Sequence, residues 1–274
     1  MTREISATSD DLIARLTTLG DLRVWSVIIT IFGDAVMPRG GTVSASALSA
    51  LTARLNIKPE ALRVALFRLA KDGWITRAKS GRNSFYRLSE RGRREFLPAS
   101  RRIYADAPKL HGPWRLALLP PGTEQDRAAL DQGMRDLGFL PVASGAYLGP
   151  AQAGDAPRQV LTVTGMLRDA PRWTRAELGP DALQRDYVRL ESTLLTCQRS
   201  LPAIADLPGA DAAALRIILI HQWRRLLLRH ADVPPEVLPE NWRGEACRTA
   251  VLDLHRTLSD RADPWLDGAI GKRG

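Results

Sequence analysis

Cysteine is scarce: Cys197 and Cys247 are the only two in 274 residues, and they form no CxxC or other ligand spacing. They fit a reducing cytosol, and the sequence leaves a bridge between them open. Long apolar runs are also missing. Stretches such as Val27–Phe32 and Ile217–Ile220 fall far short of a bilayer span. At the N-terminus Glu4, Asp10 and Asp11 interrupt any run that would read as an export signal. The four histidines, His111, His221, His230 and His255, show no HxxxH or HExxH spacing, and no GxSxG, P-loop or GxGxxG occurs. The expectation is a soluble, cytoplasmic chain with no metal, cofactor or catalytic centre. No internal repeat or low-complexity tract is present. With 45% hydrophobic and 25% charged residues, the composition supplies an ordinary globular core.

What is present is basic charge, unevenly placed. The net charge is +9, and residues 1–98 hold 16 Lys+Arg against 9 Asp+Glu. Residues 99–274 hold 23 against 21, while Arg39–Leu97 alone holds 13 against 4. A field concentrated on one short segment points to a polyanion partner, with a solvated basic face as the alternative.

Periodicity orders this segment. Asp10–Leu19 places Leu12, Ile13, Leu16 and Leu19 at helical spacing. Leu22–Phe32 reads as a more apolar helix ended by Gly33. Ser44 or Ser46 caps a short helix through Leu48 to Arg54, and a turn at Asn56–Lys58 leads to Pro59, a favourable first helical residue. The helix from Pro59 ends at Gly73. At about 100° per residue, Leu62, Ala65, Leu66, Leu69 and Ala70 share one face. Glu60, Arg63, Val64, Phe67, Arg68 and Lys71 share the other. A core stripe opposite a basic stripe, after a short helix and tight turn, reads as a helix-turn-helix.

Trp74–Lys79 and Ser84–Leu88 read as strands joined by Ser80-Gly81-Arg82-Asn83, the composition of a tight hairpin. A basic hairpin directly after such a helix reads as a wing that reaches phosphates or the minor groove. Ser89 caps a further helix carrying Arg91, Arg93 and Arg94. Candidate DNA contacts are Arg39, Ser46, Lys58, Arg63, Val64, Phe67, Arg68 and Lys71, with Arg77, Lys79, Arg82, Asn83 and Arg87 from the hairpin.

Several short runs resemble the PaaX family of phenylacetate-degradation repressors. They are Phe32-Gly33-Asp34, Pro38-Arg39-Gly40-Gly41, Leu66-Phe67-Arg68-Leu69, Asp72-Gly73-Trp74, Gly81-Arg82, Tyr86-Arg87-Leu88-Ser89 and Arg102-Ile103-Tyr104. Leu238-Pro239 and Asn241-Trp242-Arg243-Gly244-Glu245-Ala246 resemble the family's C-terminal signature. The resemblance covers nearly the whole chain and is strongest over residues 22–104 and 221–250. It implies an α+β chain in series: a winged helix-turn-helix over 1–98, a connector over 99–113, a central ferredoxin-like α/β domain over 114–171, and a mainly helical effector and dimerisation domain over 172–274. It further implies a homodimer on an inverted-repeat DNA operator, released by an acyl-CoA effector, phenylacetyl-CoA.

The implied central domain is similar to a CRISPR-associated nuclease fold, so a nuclease or RNA-binding module is an alternative reading of this segment. Trp114–Leu119 reads as its first strand, Glu124–Leu137 as a helix and Gln159–Thr164 as a later strand. A metal-dependent nuclease needs a carboxylate at the end of that first strand. Here it runs into Leu118-Leu119-Pro120-Pro121 with no acid until Glu124, which disfavours the reading. A winged-helix interaction module that never meets DNA is the other alternative.

An acyl-CoA effector asks for an apolar pocket and cations for its phosphates. His221, Trp223, Arg224 and Arg225 lie together on one helical stretch, and Trp173, Tyr187, Trp242 and Arg243 come from other segments. The same aromatics also read as core anchors of a helical bundle.

Overall fold

The structure, a computed structural model, describes residues 2–108, 113–150, 153–167, 169–199 and 206–270; His111 lies outside them. The fold is α+β, mostly helical, with two antiparallel sheets. The chain divides into two units, each assembled from separated stretches. One comprises residues 1–106, 187–227 and 245–274, the other residues 107–186 and 228–244.

The N-terminal segment of the first unit opens with α1 (Thr2–Thr17) and α2 (Val24–Ile31). Gly33, expected to end α2, does not. The helix widens into a π-turn, Phe32–Val36, followed by a 3-10 turn, Met37–Arg39. A Cβ on Gly33 would meet the Phe96 ring at 2.3 Å, so this glycine serves close packing. The left-handed residue that ends the helical path is Gly40, at φ 85°.

Strand β1 (Thr42–Ser44) leads into α3 (Ala45–Ala53), where Ser44 Oγ accepts from Ala47 N at 3.1 Å as the N-cap. Asn56, at φ 56°, turns the chain, and Pro59 opens α4 (Pro59–Lys71). Gly73 ends it at φ 72°. Strands β2 (Ile75–Ser80) and β3 (Asn83–Leu88) pair from Ile75↔Leu88 to Ser80↔Asn83. Gly81 supplies the positive φ that the two-residue turn needs. The sheet order is β1-β3-β2.

Ser89 Oγ caps α5 (Glu90–Ile103) by accepting from Gly92 N at 2.9 Å. The helix runs through Pro98, so the stretch read as a connector begins as helix. Pro98 lies on the exposed side of the helix, where the hydrogen bond it cannot make costs least.

The second unit contains β4 (Trp114–Leu118), α6 (Glu124–Asp136), β5 (Leu140–Ala143), β6 (Ala146–Pro150), β7 (Leu161–Gly165) and α7 (Arg172–Leu178). The sheet order is β5-β6-β4-β7, all antiparallel, with β6 inserted between the strands that α6 connects. That is a split βαβ arrangement. Among the described residues no helix joins β6 to β7, where a full ferredoxin-like repeat has its second. One sheet face buries Ala117, Phe139 and Tyr147 with Met134 of α6. The other buries Trp114, Val142 and Leu148 with Leu178, Val233, Val237 and Leu238. Beyond that cluster Leu116 and Leu118 (each 38% exposed), Leu161 (61%) and Val163 (55%) stay open.

The chain returns to the first unit through α8 (Asp181–Arg199, from Tyr187 onward), α9 (Gly209–Leu227) and α10 (Gly244–Ile270, from Glu245 onward). Helix α9 is buried around nearly its whole circumference from Asp211 to Trp223. It packs on α1, α2, α3 and α5. Leu12, Leu16, Val27, Ile28, Ile31, Leu48 and Leu51 form the core there, each contributing on the order of 1.5–3 kcal/mol. Trp223 Nε1 donates to Ile103 O at 3.0 Å, and its ring meets Tyr187 edge-on at 6.2 Å. Cys197 and Cys247 are buried thiols that form no disulfide, and Cys247 Sγ donates to Tyr187 O at 3.2 Å. Among the described residues no helix is long and apolar enough to cross a membrane.

Candidate nucleic-acid interface

The two faces of α4 separate as their spacing requires. Leu62, Ala65, Leu66 and Leu69 are buried, and the helix packs on α2. On the opposite side Arg63, Arg68 and Lys71 are exposed, with Val64 67% and Phe67 72% open to solvent. Lys58, at the N-cap position of α4, is exposed too. Lys58, Arg63 and Lys71 make no ion pair among the described residues. Arg68 has only a 3.8 Å approach to Asp72, with both side chains more than half exposed. Such a pair is worth little, so the guanidinium is free to reorient.

The hairpin divides its cations. Cross-strand pairing puts Arg77 and Lys79 on one face with Tyr86 and Ser84, and Arg87 on the other with Thr76. Arg77 donates to Ser84 Oγ at 2.7 Å, which orients its head across the ladder. Arg87 Nε donates to Thr76 Oγ1 at 3.1 Å at the base of the hairpin. Lys79, Arg82 and Asn83 are exposed at the tip. The tip and one face therefore gather Arg77, Lys79 and Arg82, and Arg87 does not join them.

Two of the expected contacts have other partners. Arg39 is held by Asp263 and Asp267, at 2.7 Å each, and its side chain is only 11% exposed. Ser46 Oγ lies 2.9 Å from Ser44 Oγ beside the α3 cap. Sequence counts a charge without showing whether an acid more than two hundred residues away neutralises it.

Beside the C-terminal half of α4 lies a groove of about 590 Å³ that sequence reading missed. It is lined by Arg23, Trp25, Arg68, Leu69, Asp72 and Trp74. Trp25 is 37% exposed and Trp74 half-buried.

Comparison with known proteins decides the family. The PaaX-like protein family matches residues 23–92, and the PaaX-like protein C-terminal domain matches residues 179–268. A curated Escherichia coli (strain K12) protein named transcriptional repressor PaaX is 30% identical over 260 residues, covering 86% of this chain and 81% of that one. The chain belongs to the PaaX-like family. A solved structure of an uncharacterised Mycobacterium tuberculosis protein resembles it in fold, with a TM-score of 0.55 and 24% identity over 85% of this chain and 96% of that one.

In this PaaX-like chain the residues expected to meet an effector divide between the units. Tyr187, His221 and Trp223 are fully buried in the first. Arg224 Nη1 donates to Ser26 O at 2.9 Å and to Thr30 Oγ1 at 3.1 Å, and Arg225 Nη1 donates to Gln222 Oε1 at 2.7 Å. Burial, with Arg224 and Arg225 adding to it, pushes the His221 imidazole down to about 3. In the second unit Trp173 is 57% exposed, and Trp242 meets His230 edge-on at 5.5 Å, its ring so close to Gly179 that a Cβ there would stand 3.1 Å from it. Arg243 is exposed, and its backbone N donates to Gln184 Oε1 at 3.2 Å.

Proposed function

We propose that this chain is a non-enzymatic, DNA-binding transcriptional repressor. Residues 42–88 act as a winged helix-turn-helix, with α4 in the major groove and the β2–β3 hairpin as the wing. One observation carries the reading: the exposed face of α4 sets Val64 and Phe67 among Arg63, Arg68 and Lys71. Cations there meet phosphates and guanine edges, and the apolar pair meets thymine methyls. The name of the Escherichia coli relative supports the same reading.

The second unit's sheet is the ferredoxin-like module in this proposal, and its open edge faces a second copy of the chain. Strand β7 reads Leu-Thr-Val-Thr-Gly, free of charge and proline, and Leu161 and Val163 extend an apolar face. A two-fold dimer sets two α4 helices about one helical turn apart, ~34 Å, on an inverted repeat. The resemblance adds the effector, phenylacetyl-CoA, and the regulated process, phenylacetate catabolism. Trp173, Trp242 and Arg243 keep exposed or half-open surface for effector contact, whereas Tyr187, His221 and Trp223 act as core anchors.

The test is titration of duplex DNA from the chain's own promoter region at rising salt. Binding that weakens as log salt rises, to an inverted repeat, supports the reading, because phosphate contacts release counterions. Binding that ignores salt, or none at all, removes it. Thermal shift with phenylacetyl-CoA against CoA and phenylacetate checks the effector separately.

A further inference from the structure

The cations that α4 and the hairpin tip leave unused gather on α5. At about 100° per residue, Arg93, Arg94, Leu97 and Arg101 share one face of that helix, away from the buried Phe96 and Ile103. All four are exposed. Arg93, Arg94 and Arg101 make no ion pair among the described residues, whereas Arg91, off this face, pairs with Glu95 at 2.9 Å. A hollow of about 240 Å³ joins the face to the hairpin, lined by Thr76, Arg87, Leu88, Ser89, Glu90 and Arg93. Arg87 is the hairpin cation that stands apart from the tip, on the face it shares with Thr76. Glu90 is the one acid of the hollow. It sits in the first turn of α5, where the positive end of a helix favours it, and pairs with neither Arg93 nor Arg94. The helix is held at a fixed offset from α4. Ser89 Oγ donates to Gly73 O at 2.5 Å, Ser89 N to Trp74 O at 2.9 Å and Arg91 Nη1 to Asp72 O at 3.2 Å.

We propose that this face of α5, together with Arg87, is a second grip on the duplex. It holds phosphates beyond those met by α4 and the hairpin tip, and it reads no bases. The grip rests on the repressor reading. Its partner follows from its chemistry: the face offers unpaired arginines and a leucine but no aromatic ring, which suits a phosphate backbone and not the stacking that single strands ask for. From Arg93 to Arg101 the helix rises ~12 Å, at ~1.5 Å per residue. That length matches about three to four base pairs at ~3.4 Å each. Because the start of α5 is tied to the end of α4, seating α4 in its groove sets where these arginines fall along the strand. The footprint is therefore longer than α4 and the hairpin alone would give, and the added contacts raise affinity on every sequence alike.

The test uses the full chain and duplex DNA from its own promoter region. Ethylation interference marks each phosphate whose blocking prevents binding, and gel-shift titration over several salt concentrations gives the slope. Wild-type chain should show a group of about three or four phosphates that keep interfering in Arg68→Ala and Arg82→Ala but fall silent in the double variant Arg93→Ala/Arg94→Ala. The double variant should bind at least tenfold more weakly at ~50 mM salt, lower the salt slope by about 2, and lose equally on the promoter and an unrelated duplex. Arg93→Lys/Arg94→Lys should keep most of the slope, because a phosphate accepts a point charge where a guanine edge asks for a fork. Both sites are exposed, and thermal melts establish that the variants fold. An interference pattern or a slope unchanged in the alanine variant overturns the grip and leaves the repressor reading standing. A loss confined to the promoter sequence puts α5 on bases and overturns it as well. A wild-type chain that binds no duplex sinks the repressor reading, and the grip with it.

Discussion

Arg216 on α9 donates through Nε to Asp34 Oδ2 at 2.8 Å, with side chains only 2% and 1% exposed. Asp34 sits in the π-turn after α2, so the contact ties the N-terminal segment to a helix 182 residues further on. Tyr104 Oη donates to Asp34 Oδ1 at 2.9 Å, and His255 Nε2 lies 2.9 Å from the same oxygen. Arg216 Nη1 also reaches Asp263 at 2.6 Å, which in turn pairs with Arg39. Burial alone would raise the Asp34 carboxyl, but His255, Arg216 and Tyr104 together hold it below its usual value.

Removing one member of this pair leaves the other buried without its partner, which costs about 3–5 kcal/mol. Arg216→Met should therefore lower stability by that order in urea unfolding. Combining it with Asp34→Asn should cost less than the two single losses summed, because the uncompensated charge is gone. Additive losses would show that the two residues do not act as a pair.

His221 predicts a pH dependence. Its folded value is pushed down to about 3 by burial beside Arg224 and Arg225, so the folded chain keeps it neutral. The unfolded chain takes up a proton below about 6.5 and the folded chain does not, so stability falls as pH drops from about 6.5 toward 3. The expected slope is roughly 1.4 kcal/mol per pH unit from this group. His221→Phe should remove that component from urea midpoints measured between about pH 7 and pH 5. A slope unchanged in the variant assigns the dependence elsewhere.

On α4, Arg68→Ala should weaken operator binding by ~1–3 kcal/mol and relax base preference, with the melting temperature unchanged. Arg82→Ala at the hairpin tip should act on all sequences alike and reduce the salt slope by about 1. Gel-shift titration across several salt concentrations separates the two. An Arg82 variant that changed sequence preference would place the tip on bases.

Gly92 tests the packing of α5. A Cβ there would stand 2.2 Å from Trp74 O, a backbone atom with little room to yield. Gly92→Ala should cost about 1–3 kcal/mol by strain. Equal thermal stability of the variant would mean that the strand start and the helix cap can separate freely.

The elements that sequence revealed are those whose amphipathic pattern is local. Helix α4 separates a buried stripe at Leu62, Ala65, Leu66 and Leu69 from a basic one within thirteen residues. The hairpin announces itself through Gly81 between two strand-like runs. What sequence did not reveal is set by partners far along the chain. Gly33 looks like a helix stop, but its role is to admit Phe96. Arg39 counts as free charge until Asp263 and Asp267 neutralise it. Strand β1 is too short, at three residues, to show alternation. The run Ala212–Ile220 is apolar on every side apart from Arg216, which says that α9 is buried but not beneath which helices. The groove joins Arg23 and Trp25 to Arg68 and Trp74, and no spacing rule links those pairs.

The burial of α9 inside the N-terminal segment sets a timetable for synthesis. Residues 2–103 leave the ribosome with the inner faces of α1, α2, α3 and α5 uncovered, and residues 209–227 arrive only much later. At ~5–20 residues per second the wait is on the order of ten seconds. During that interval Leu12, Leu16, Val27 and Ile28 are open to chaperones and to neighbouring nascent chains. A chain cut short before α9 keeps its basic surface and loses the interior that holds that surface in place.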